Sequence, residues 1–261
     1  MVSLMTWNVN SVRARQENIV DCLKKYTPDI VGLQEIKCLE EQFPREIFED
    51  LGYNIEIVGQ KSYHGVALLS KYRLCDTIKS LPHFTDEQAR FISSEINLDS
   101  GMVQVINCYM PNGNPIGTEK YSYKLAWLAA LDVYLTTLQT QKVPFLLCGD
   151  FNIIPTALDT HDEAAWQNDA LYQPEVRAFY HKWRYQGLMD TIRCFHPQDP
   201  IYSFWDYQAR AREKNHGIRI DHILASPLLA DKVKTAFIID EVRDAPKASD
   251  HIPVMVELDY S

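Results

Sequence analysis

The sequence predicts an α/β protein in which strands paired in sheets carry helices on their outer faces. Short apolar runs typical of strands recur along the whole chain. The runs between residues 53 and 109 follow each other too closely for helical crossovers, so we expect them to pair largely antiparallel. Residues 119–141 are predicted to form an amphipathic helix packed on a sheet, because leucines recur there at intervals of three and four residues: Leu128, Leu131, Leu135 and Leu138. A layered α/β sandwich fits these features better than a parallel doubly wound sheet.

The remaining elements follow from the same periodicities. The predicted strands are 2–7, 29–34, 53–58, 65–70, 74–79, 91–97, 102–109, 144–149, 218–226, 233–240 and 253–258. The strands at 29–34 and 144–149 are apolar enough to be covered on both faces. Helices are predicted over 12–25 and near 174–185, and a long polar loop over 156–172. Because no repeat, low-complexity tract or long linker divides the chain, residues 1–261 are expected to form a single domain.

Composition narrows the class of protein. The chain has 261 residues, and its 46% hydrophobic content supplies material for a large core. No apolar stretch approaches the ~18 to 20 residues that span a bilayer, and the N-terminus lacks the features of a signal peptide. A cytoplasmic protein without a membrane partner is therefore expected. The six cysteines are scattered without a CxxC pair or a Cys/His cluster, which predicts buried thiols.

Charge gives an ambiguous signal about partners. The net charge of -9 argues mildly against a polyanion, because nucleic-acid binding uses cations that neutralise phosphates. Local basic groupings nevertheless occur, and they comprise Arg13 and Arg15; Lys120 and Lys124; Arg177, Lys182 and Arg184; and Arg210, Arg212, Lys214 and Arg219. A solvated surface of mixed charge explains any one grouping more simply. A position around a shared cleft would instead make them a nucleic-acid footprint.

Short polar motifs adjoin the predicted strands from one end of the chain to the other. They are TrpAsnValAsn at 7–10, GlnGlu at 34–35, TyrMetProAsnGly at 109–113, GlyAspPheAsn at 149–152, ArgIleAsp at 219–221 and SerAspHis at 249–251. Because polar residues at strand ends project beyond the sheet, we expect these motifs to meet in one cleft. They offer oxygen ligands for a hard metal, a carboxylate and an amide to hold a water, and a histidine with acidic partners.

Glu35 and Asp150 are the first candidates for metal and water chemistry. Glu35 follows the apolar run 30–33 with Asn8 expected beside it, and Mg²⁺ needs one or two protein carboxylates plus a substrate phosphate. Asp150 and Asn152 leave a strand end on the same side, so an acceptor and a donor there clamp and aim a water. The alternatives are a solvated glutamate and a turn that uses Asp and Asn for backbone bonding.

His251 and Tyr109 are the remaining candidates from the residues themselves. His251 follows Asp250 just before the last strand, and Asp221 is the candidate partner that fixes its tautomer or keeps it protonated. A lone histidine is more often a surface or satisfied core residue. Tyr109 ends a strand, and the turn after it would point the phenol and the Asn112 amide towards the cleft. A tyrosine packed at the core edge explains these residues equally well.

The ordered set of motifs resembles the exonuclease III family of apurinic/apyrimidinic (AP) endonucleases. The motifs that carry the resemblance are TrpAsnValAsnSerValArgAla, LeuGlnGluIleLys, GlyValAlaLeuLeuSer, TyrMetProAsnGlyAsnPro, GlyAspPheAsn, GlyIleArgIleAspHisIleLeuAlaSer and SerAspHisIleProVal, and they run from residue 2 to about 258. The broader superfamily includes deoxyribonuclease I, inositol polyphosphate phosphatases and sphingomyelinases. The ArgAla, TyrMetProAsnGly and GlyIleArgIleAsp elements favour the DNA-repair branch. The resemblance implies a deoxyribonuclease I-like, four-layer α/β sandwich of two packed mixed sheets flanked by helices.

The resemblance also implies an activity and a set of residues. The implied reaction is Mg²⁺- or Mn²⁺-dependent hydrolysis of the phosphodiester 5′ to an abasic site in double-stranded DNA, which leaves a 3′-hydroxyl. The implied metal-binding positions are Glu35, Asn8 and Asp250. The implied catalytic positions are Tyr109, Asp150, Asn152, Asp221 and His251. The implied substrate-binding positions are Asn112, Phe204, Ile218, Arg219 and Ile220, of which Phe204 and the two isoleucines would line an apolar pocket for the extruded abasic nucleotide.

Several alternatives remain open at the level of sequence. Ile218 stands where some relatives carry tryptophan, which leaves open the balance between abasic-site incision, processing of blocked 3′ ends as a phosphodiesterase or phosphatase, and 3′-to-5′ exonuclease activity. Asn10 stands where some relatives carry an acidic residue. The other readings are an exonuclease or phosphatase with little AP incision, a phosphoesterase acting on an inositol or lipid head group, and a catalytically silent DNA-binding module. A monomer is expected.

Overall fold

The computed structural model describes residues 1–260 and contains two six-stranded mixed sheets. The strands are β1 Val2–Asn8, β2 Ile30–Gln34, β3 Asn54–Val58, β4 Val66–Ser70, β5 Leu74–Ile78, β6 Phe91–Leu98, β7 Gly101–Tyr109, β8 Phe145–Asp150, β9 Met189–Asp190, β10 Asp221–Ala225, β11 Val233–Ile238 and β12 Val254–Leu258. The first sheet has the order β11-β12-β1-β2-β4-β3 and the second β5-β6-β7-β8-β10-β9. The pairs β1–β2 and β7–β8 are parallel, and the other neighbouring strands are antiparallel.

Helices cover both outer faces of the sheet pair. The α-helices are α1 Gln16–Tyr26, α2 Arg45–Glu49, α3 Glu119–Thr140, α4 Glu163–Trp166, α5 Pro174–Tyr185 and α6 Thr191–Phe195, of which α1, α2, α3 and α5 cover these faces. On the first sheet, Ile19 of α1 shares a buried core with Met5. On the second sheet, Leu131 of α3 and Val176 of α5 share a core with Ile106. The predicted four-layer α/β sandwich is confirmed.

Alternation along the central strands builds the layers. Neighbouring strand residues point to opposite faces of a sheet. In β2, Ile30 belongs to the core between the sheets and Val31 to the core under α1. In β8, Leu146 faces the core between the sheets and Leu147 faces α3 and α5. This burial on both faces explains why the two strands have continuous apolar sequences.

The structure differs from the predicted elements mainly at their ends. Residues 12–15 form a turn, so α1 begins at Gln16. The loop predicted over 156–172 contains the short helix α4. Cys194 is exposed and Cys75 is partly exposed, so the prediction of buried thiols is wrong for these two cysteines. Cys75 lies on the edge strand β5, and α6 buries Thr191 and Ile192 rather than Cys194. No helix among residues 1–260 is both long and apolar enough to cross a membrane.

The polar residues at the strand ends lie together at one end of the sandwich. In the second sheet Tyr109 lies opposite Asp150, and Asp150 lies opposite Asp221, because β7 and β8 end where the antiparallel β10 begins. In the first sheet β1 ends beside the start of β12, which follows His251. Position 149, next to Asp150, requires glycine, since its φ is +138° and a Cβ atom there would lie 1.9 Å from the carbonyl oxygen of Cys108. Close strand pairing thus places Asp150 at the rim.

Candidate active site

Asn8 joins the two candidate carboxylates of the site. Its fully buried amide nitrogen donates to Glu35 Oε1 and to Asp150 Oδ2, each at 2.9 Å. Its amide oxygen accepts the backbone N–H of Asn10 at 3.1 Å. Lys37, which the sequence did not single out, forms an ion pair of 2.7 Å with Glu35 Oε2. Asn8 is therefore a bridge between the carboxylates, and its predicted direct contact with a metal stays a prediction.

His251 is held between two aspartates. Its Nδ1 lies 2.8 Å from Asp221 Oδ2, and its Nε2 lies 3.8 Å from Asp150 Oδ2. Burial disfavours the imidazolium, but the negative charges of Asp221 and Asp150 outweigh burial and raise the pKa of His251 to about 10. The predicted partner of His251 is therefore in contact with it, and the ring carries a positive charge at neutral pH.

Asp150 and Glu35 respond differently to their surroundings. Burial raises the pKa of Asp150 to about 7, although the His251 charge acts in the opposite direction. Burial would also raise the pKa of Glu35, but Lys37 and the Asn8 hydrogen bond keep that pKa below its ordinary value. Glu35 is thus an anion at neutral pH, while the pKa of Asp150 is close to neutral pH, which suits a general base.

Two turns bring amides next to Asp150. The backbone N–H of Asn152 donates to Asp150 Oδ1 at 2.9 Å, and the Asn152 side-chain amide donates to the carbonyl of Met110 at 2.9 Å. The exposed Asn112 donates to Asn152 Oδ1 at 3.2 Å. Asn112 and Asn152, predicted from separate motifs, are therefore neighbours at the mouth of the site.

Tyr109 contributes a phenol that stays protonated. Burial raises the pKa of Tyr109 well above its usual value, and the charges of Glu35 and Asp150 add to the effect. The Arg90 guanidinium lies 4.7 Å from the centre of the tyrosine ring. The phenol is therefore a hydrogen-bond donor next to the two carboxylates.

The carboxylates fit a hard divalent cation. Ligand atoms of Glu35, Asp150 and His251 lie within 4.8 Å of one another. The oxygen atoms of Glu35 and Asp150 are the ligand type that Mg²⁺ prefers, whereas the imidazole of His251 is engaged by Asp221. Asp250 lies outside this trio and accepts hydrogen bonds from Asn10 Nδ2 at 3.0 Å and from the Ser249 hydroxyl at 3.3 Å. Its predicted contact with the metal or its waters stays a prediction.

An apolar wall stands beside His251. The Phe204 ring is partly exposed, and its centre lies 4.8 Å from the centre of the imidazole. Ile218 and Ile220 are buried in the same apolar cluster, at 1% and 3% exposure. Trp166, from the segment predicted as a polar loop, also packs against this cluster. The three residues predicted to line a pocket are therefore together, but only Phe204 lies against the imidazole and is exposed enough to line a pocket, while the two isoleucines pack behind it.

Arg219 requires a correction. The sequence predicts a substrate contact, but the side chain is 1% exposed and points into the protein. Its guanidinium pairs with Asp159 at 2.7 Å and with both oxygens of Asp190 at 3.1 and 2.8 Å. Ile218 and Ile220 alternate with it along the chain and join the apolar cluster instead. A buried arginine with two aspartate partners has no group left for a substrate.

Supporting residues were missed because their partners are far away in sequence. The Ser203 hydroxyl donates to Asp221 Oδ2 at 2.7 Å, and the Ser249 hydroxyl donates to the Asn8 carbonyl at 2.8 Å. The Trp7 indole donates to the His251 carbonyl at 3.1 Å. Trp7 and Ser249 belong to motifs that the sequence identified, whereas nothing in the sequence marked Ser203.

Comparison with known proteins identifies the family to which this site belongs. The model of the endonuclease/exonuclease/phosphatase family matches residues 5–251. Exodeoxyribonuclease III of Haemophilus influenzae is 36% identical over 265 residues, which cover 98% of this chain and 99% of that protein. The chain belongs to the endonuclease/exonuclease/phosphatase family. The resemblance inferred from the ordered motifs is thereby confirmed.

Two solved structures place this endonuclease/exonuclease/phosphatase protein among DNA-processing enzymes. An AP endonuclease from Archaeoglobus fulgidus is 35% identical with a TM-score of 0.94, covering 99% of this chain and 100% of that one. A 3′ phosphatase from Neisseria, solved with a product DNA hairpin, is 33% identical with a TM-score of 0.94 and full coverage of both chains. The chain is therefore a hydrolytic enzyme of the exonuclease III and AP endonuclease type.

Proposed function

We propose that this protein is a Mg²⁺-dependent AP endonuclease that hydrolyses the phosphodiester 5′ to abasic sites in double-stranded DNA, with Mn²⁺ able to substitute. The observation that carries the proposal is the placement of His251 between Asp221 and Asp150, with Glu35 on one side and the Phe204 wall on the other. In-line hydrolysis needs a positioned water, a cation at the phosphate and a group that recognises the damaged sugar. Each need has a candidate here.

The proposed roles follow from charge and position. Asp150, whose burial raises its pKa to about 7, accepts a proton from the attacking water, and Asn152 orients that water. The His251 imidazolium, fixed by Asp221, binds the scissile phosphate and stabilises charge that develops there. The water oxygen bonds to phosphorus and the P–O3′ bond breaks; the departing O3′ takes a proton from solvent and Asp150 returns its proton to solvent, which leaves a 3′-hydroxyl upstream and a 5′-phosphate on the abasic sugar.

Other groups complete the phosphate site. Tyr109 and Asn112 donate hydrogen bonds to the phosphate, as their place at the mouth of the site supports. Glu35 would hold the metal, with Asn8 and Asp150 close by, and Asp250 is proposed to act through the waters of the metal. Bound Mg²⁺ would supply positive charge at the phosphate. Phe204 offers the apolar surface that receives the abasic sugar, and the buried Ile218 and Ile220 support it from behind.

A second function is the processing of blocked 3′ ends as a 3′-phosphodiesterase, phosphatase or exonuclease. The likeness to the Neisseria 3′ phosphatase favours it. We propose that both activities use the same catalytic groups. We also propose a single domain over residues 1–261 that acts as a cytoplasmic monomer.

Assays with four substrates distinguish the proposed functions. The wild-type protein is given a duplex with a central abasic analogue, the same duplex undamaged, a duplex with a 3′-phosphate and an inositol phosphate, each with Mg²⁺ and with EDTA. The expected result is Mg²⁺-dependent incision of the abasic strand, and Asp150→Asn is expected to abolish it while leaving DNA binding in EDTA within about threefold. No incision of the abasic strand overturns the leading proposal, and cleavage of the 3′-phosphate alone would establish the second function.

A further inference from the structure

Lys124 lies in an unexpected place. The sequence groups it with Lys120 as a surface pair, but Lys124 is fully buried on α3, whereas Lys120 is exposed. A buried ammonium is costly unless its N–H groups have partners. Its Nζ donates to the backbone carbonyl of Asn152 at 2.6 Å and to that of Asn112 at 3.0 Å. One side chain from the helix layer therefore reaches the two turns that carry the polar groups of the site.

The two turns depend on this contact for their relative position. Asn152 has a φ of 49°, a left-handed conformation that costs energy for a residue other than glycine. Lys124 binds the carbonyl of this strained residue, and the Asn152 side chain accepts a hydrogen bond from Asn112. The lysine thus connects the backbones of the same two residues whose side chains meet above it.

Packing leaves the first turn little freedom to shift. Gly113 has a φ of +88°, and a Cβ atom on it would lie 2.5 Å from Lys124 Cδ and 3.3 Å from Ala170 Cβ. The turn therefore rests directly on the lysine stem. If the lysine head were removed, the Asn112 and Asn152 carbonyls would lose a shared donor and the turns could move apart.

We propose that Lys124 is a positioning residue, which holds Asn112 and Asn152 at the separation that their contacts with the phosphate and the attacking water require. The proposal rests on the proposed function and adds a residue that touches no substrate. Burial lowers the pKa of Lys124 to about 7, against the charges of Asp150 and Asp169. A neutral amine still has two N–H groups for the two carbonyls, so the clamp does not depend on the charge.

The test compares Lys124→Met with Lys24→Met, a change of the same kind at an exposed helical lysine outside the basic groupings. Three quantities are measured: the single-turnover rate on an abasic duplex with Mg²⁺ at saturating enzyme, the Kd for that duplex in EDTA, and the melting temperature. Rates are normalised to the concentration of DNA-binding protein. A misplacement of about 1 Å in a catalytic group costs on the order of 100-fold, so Lys124→Met is expected to lower the rate by about 10- to 100-fold. The Kd of Lys124→Met should stay within about threefold of wild type, and Lys24→Met should keep the rate within about twofold.

The other outcomes overturn the proposal. A folded Lys124→Met protein with a rate within about threefold of wild type would show that the clamp is dispensable, and a loss confined to Kd would make Lys124 a DNA-binding group. If Lys124→Met does not fold, Lys124→Arg takes its place, since it keeps N–H donors but moves them, and the same thresholds apply. Failure of both variants to fold would assign the lysine to the fold. A wild-type protein that leaves the abasic strand intact would overturn the proposed function instead, a result visible before any variant is made.

Discussion

Replacing Arg219 with methionine should destabilise the protein severely, although the arginine was first assigned to the substrate. The side chain is 1% exposed, and its partners Asp159 and Asp190 have side-chain exposures of 0% and 3%. Removing one member of a buried ion pair leaves an uncompensated charge and costs about 3 to 5 kcal/mol. For the loss of the Asp159 pair, the lower end of this range of free energies is expected, because Arg193 still binds Asp159 at 2.6 Å.

Urea unfolding at pH 7, followed by tryptophan fluorescence, measures this loss. The control is Arg210→Met, because Arg210 also pairs with a carboxylate, that of Glu213, but its side chain is 74% exposed. An exposed pair contributes about 0 to 1 kcal/mol, so the control should unfold near the wild-type midpoint. A free energy of unfolding for Arg219→Met within about 1 kcal/mol of wild type would refute the assignment of Arg219 to a structural ion network.

The same network gives stability a pH dependence of known sign. Burial would raise the pKa of Asp159 and of Asp190, but Arg219 outweighs burial and lowers both. A carboxylate with a lowered folded-state pKa adds stability above its unfolded pKa of about 3.9, and this stability is lost as the pH falls. Between pH 6 and pH 3 the wild type should therefore lose more stability than Arg219→Met, and parallel loss in the two proteins would contradict the reasoning.

Two further predictions concern the candidate site. In the wild type, the Asp221 carboxylate lies 2.8 Å from His251 and raises the pKa of the imidazole, and Asp221→Asn removes this carboxylate. The single-turnover rate on an abasic duplex should therefore fall by at least about 100-fold, while the Kd for DNA in EDTA changes little. A rate near wild type would remove Asp221 from this role. Glu35→Gln removes a charged ligand candidate, so the Mg²⁺ concentration for half-maximal cleavage should rise by at least about 10-fold. Glu241→Gln, an exposed acid that pairs with Lys25 far from the site, is the matched control and should leave the Mg²⁺ requirement unchanged.

The fold was predictable because its signals are local. Val31 and Leu147 lie in continuous apolar runs, and burial on both faces of a central strand requires such a run. Short elements have no comparable signal. Strand β9 has two residues and exists through its pairing with β10, and α6 has five residues, too few for a helical period to be recognised. Their existence depends on partners rather than on their own sequences.

The site was predictable to a similar extent and for a related reason. Asp150 ends β8 and Asp221 begins β10, so the antiparallel pairing of these strands places the two aspartates opposite each other. His251 adjoins β12 of the other sheet and reaches Asp150 because both strands have these ends at the same end of the sandwich. The residues that support them do not follow from it. Ser203 contacts Asp221 across 18 residues, and Lys37 contacts Glu35 through a turn in which Glu35 has a φ of 50°. Such contacts depend on loop conformations that no periodicity encodes.

Basic residues show most clearly what a one-dimensional pattern omits. A run of lysines and arginines has the same appearance whether each charge faces solvent, DNA or a buried acid, because the partner is elsewhere in the chain. Here Lys124 binds two carbonyls inside the protein, Arg219 pairs with two buried aspartates, and Arg212 pairs with Asp240 at 2.7 Å. Lys124 and Arg219 are enclosed and Arg212 is paired with a carboxylate, so these three are not free surface charges. The footprint on a nucleic acid is therefore expected mainly from other cations, such as the exposed Lys120.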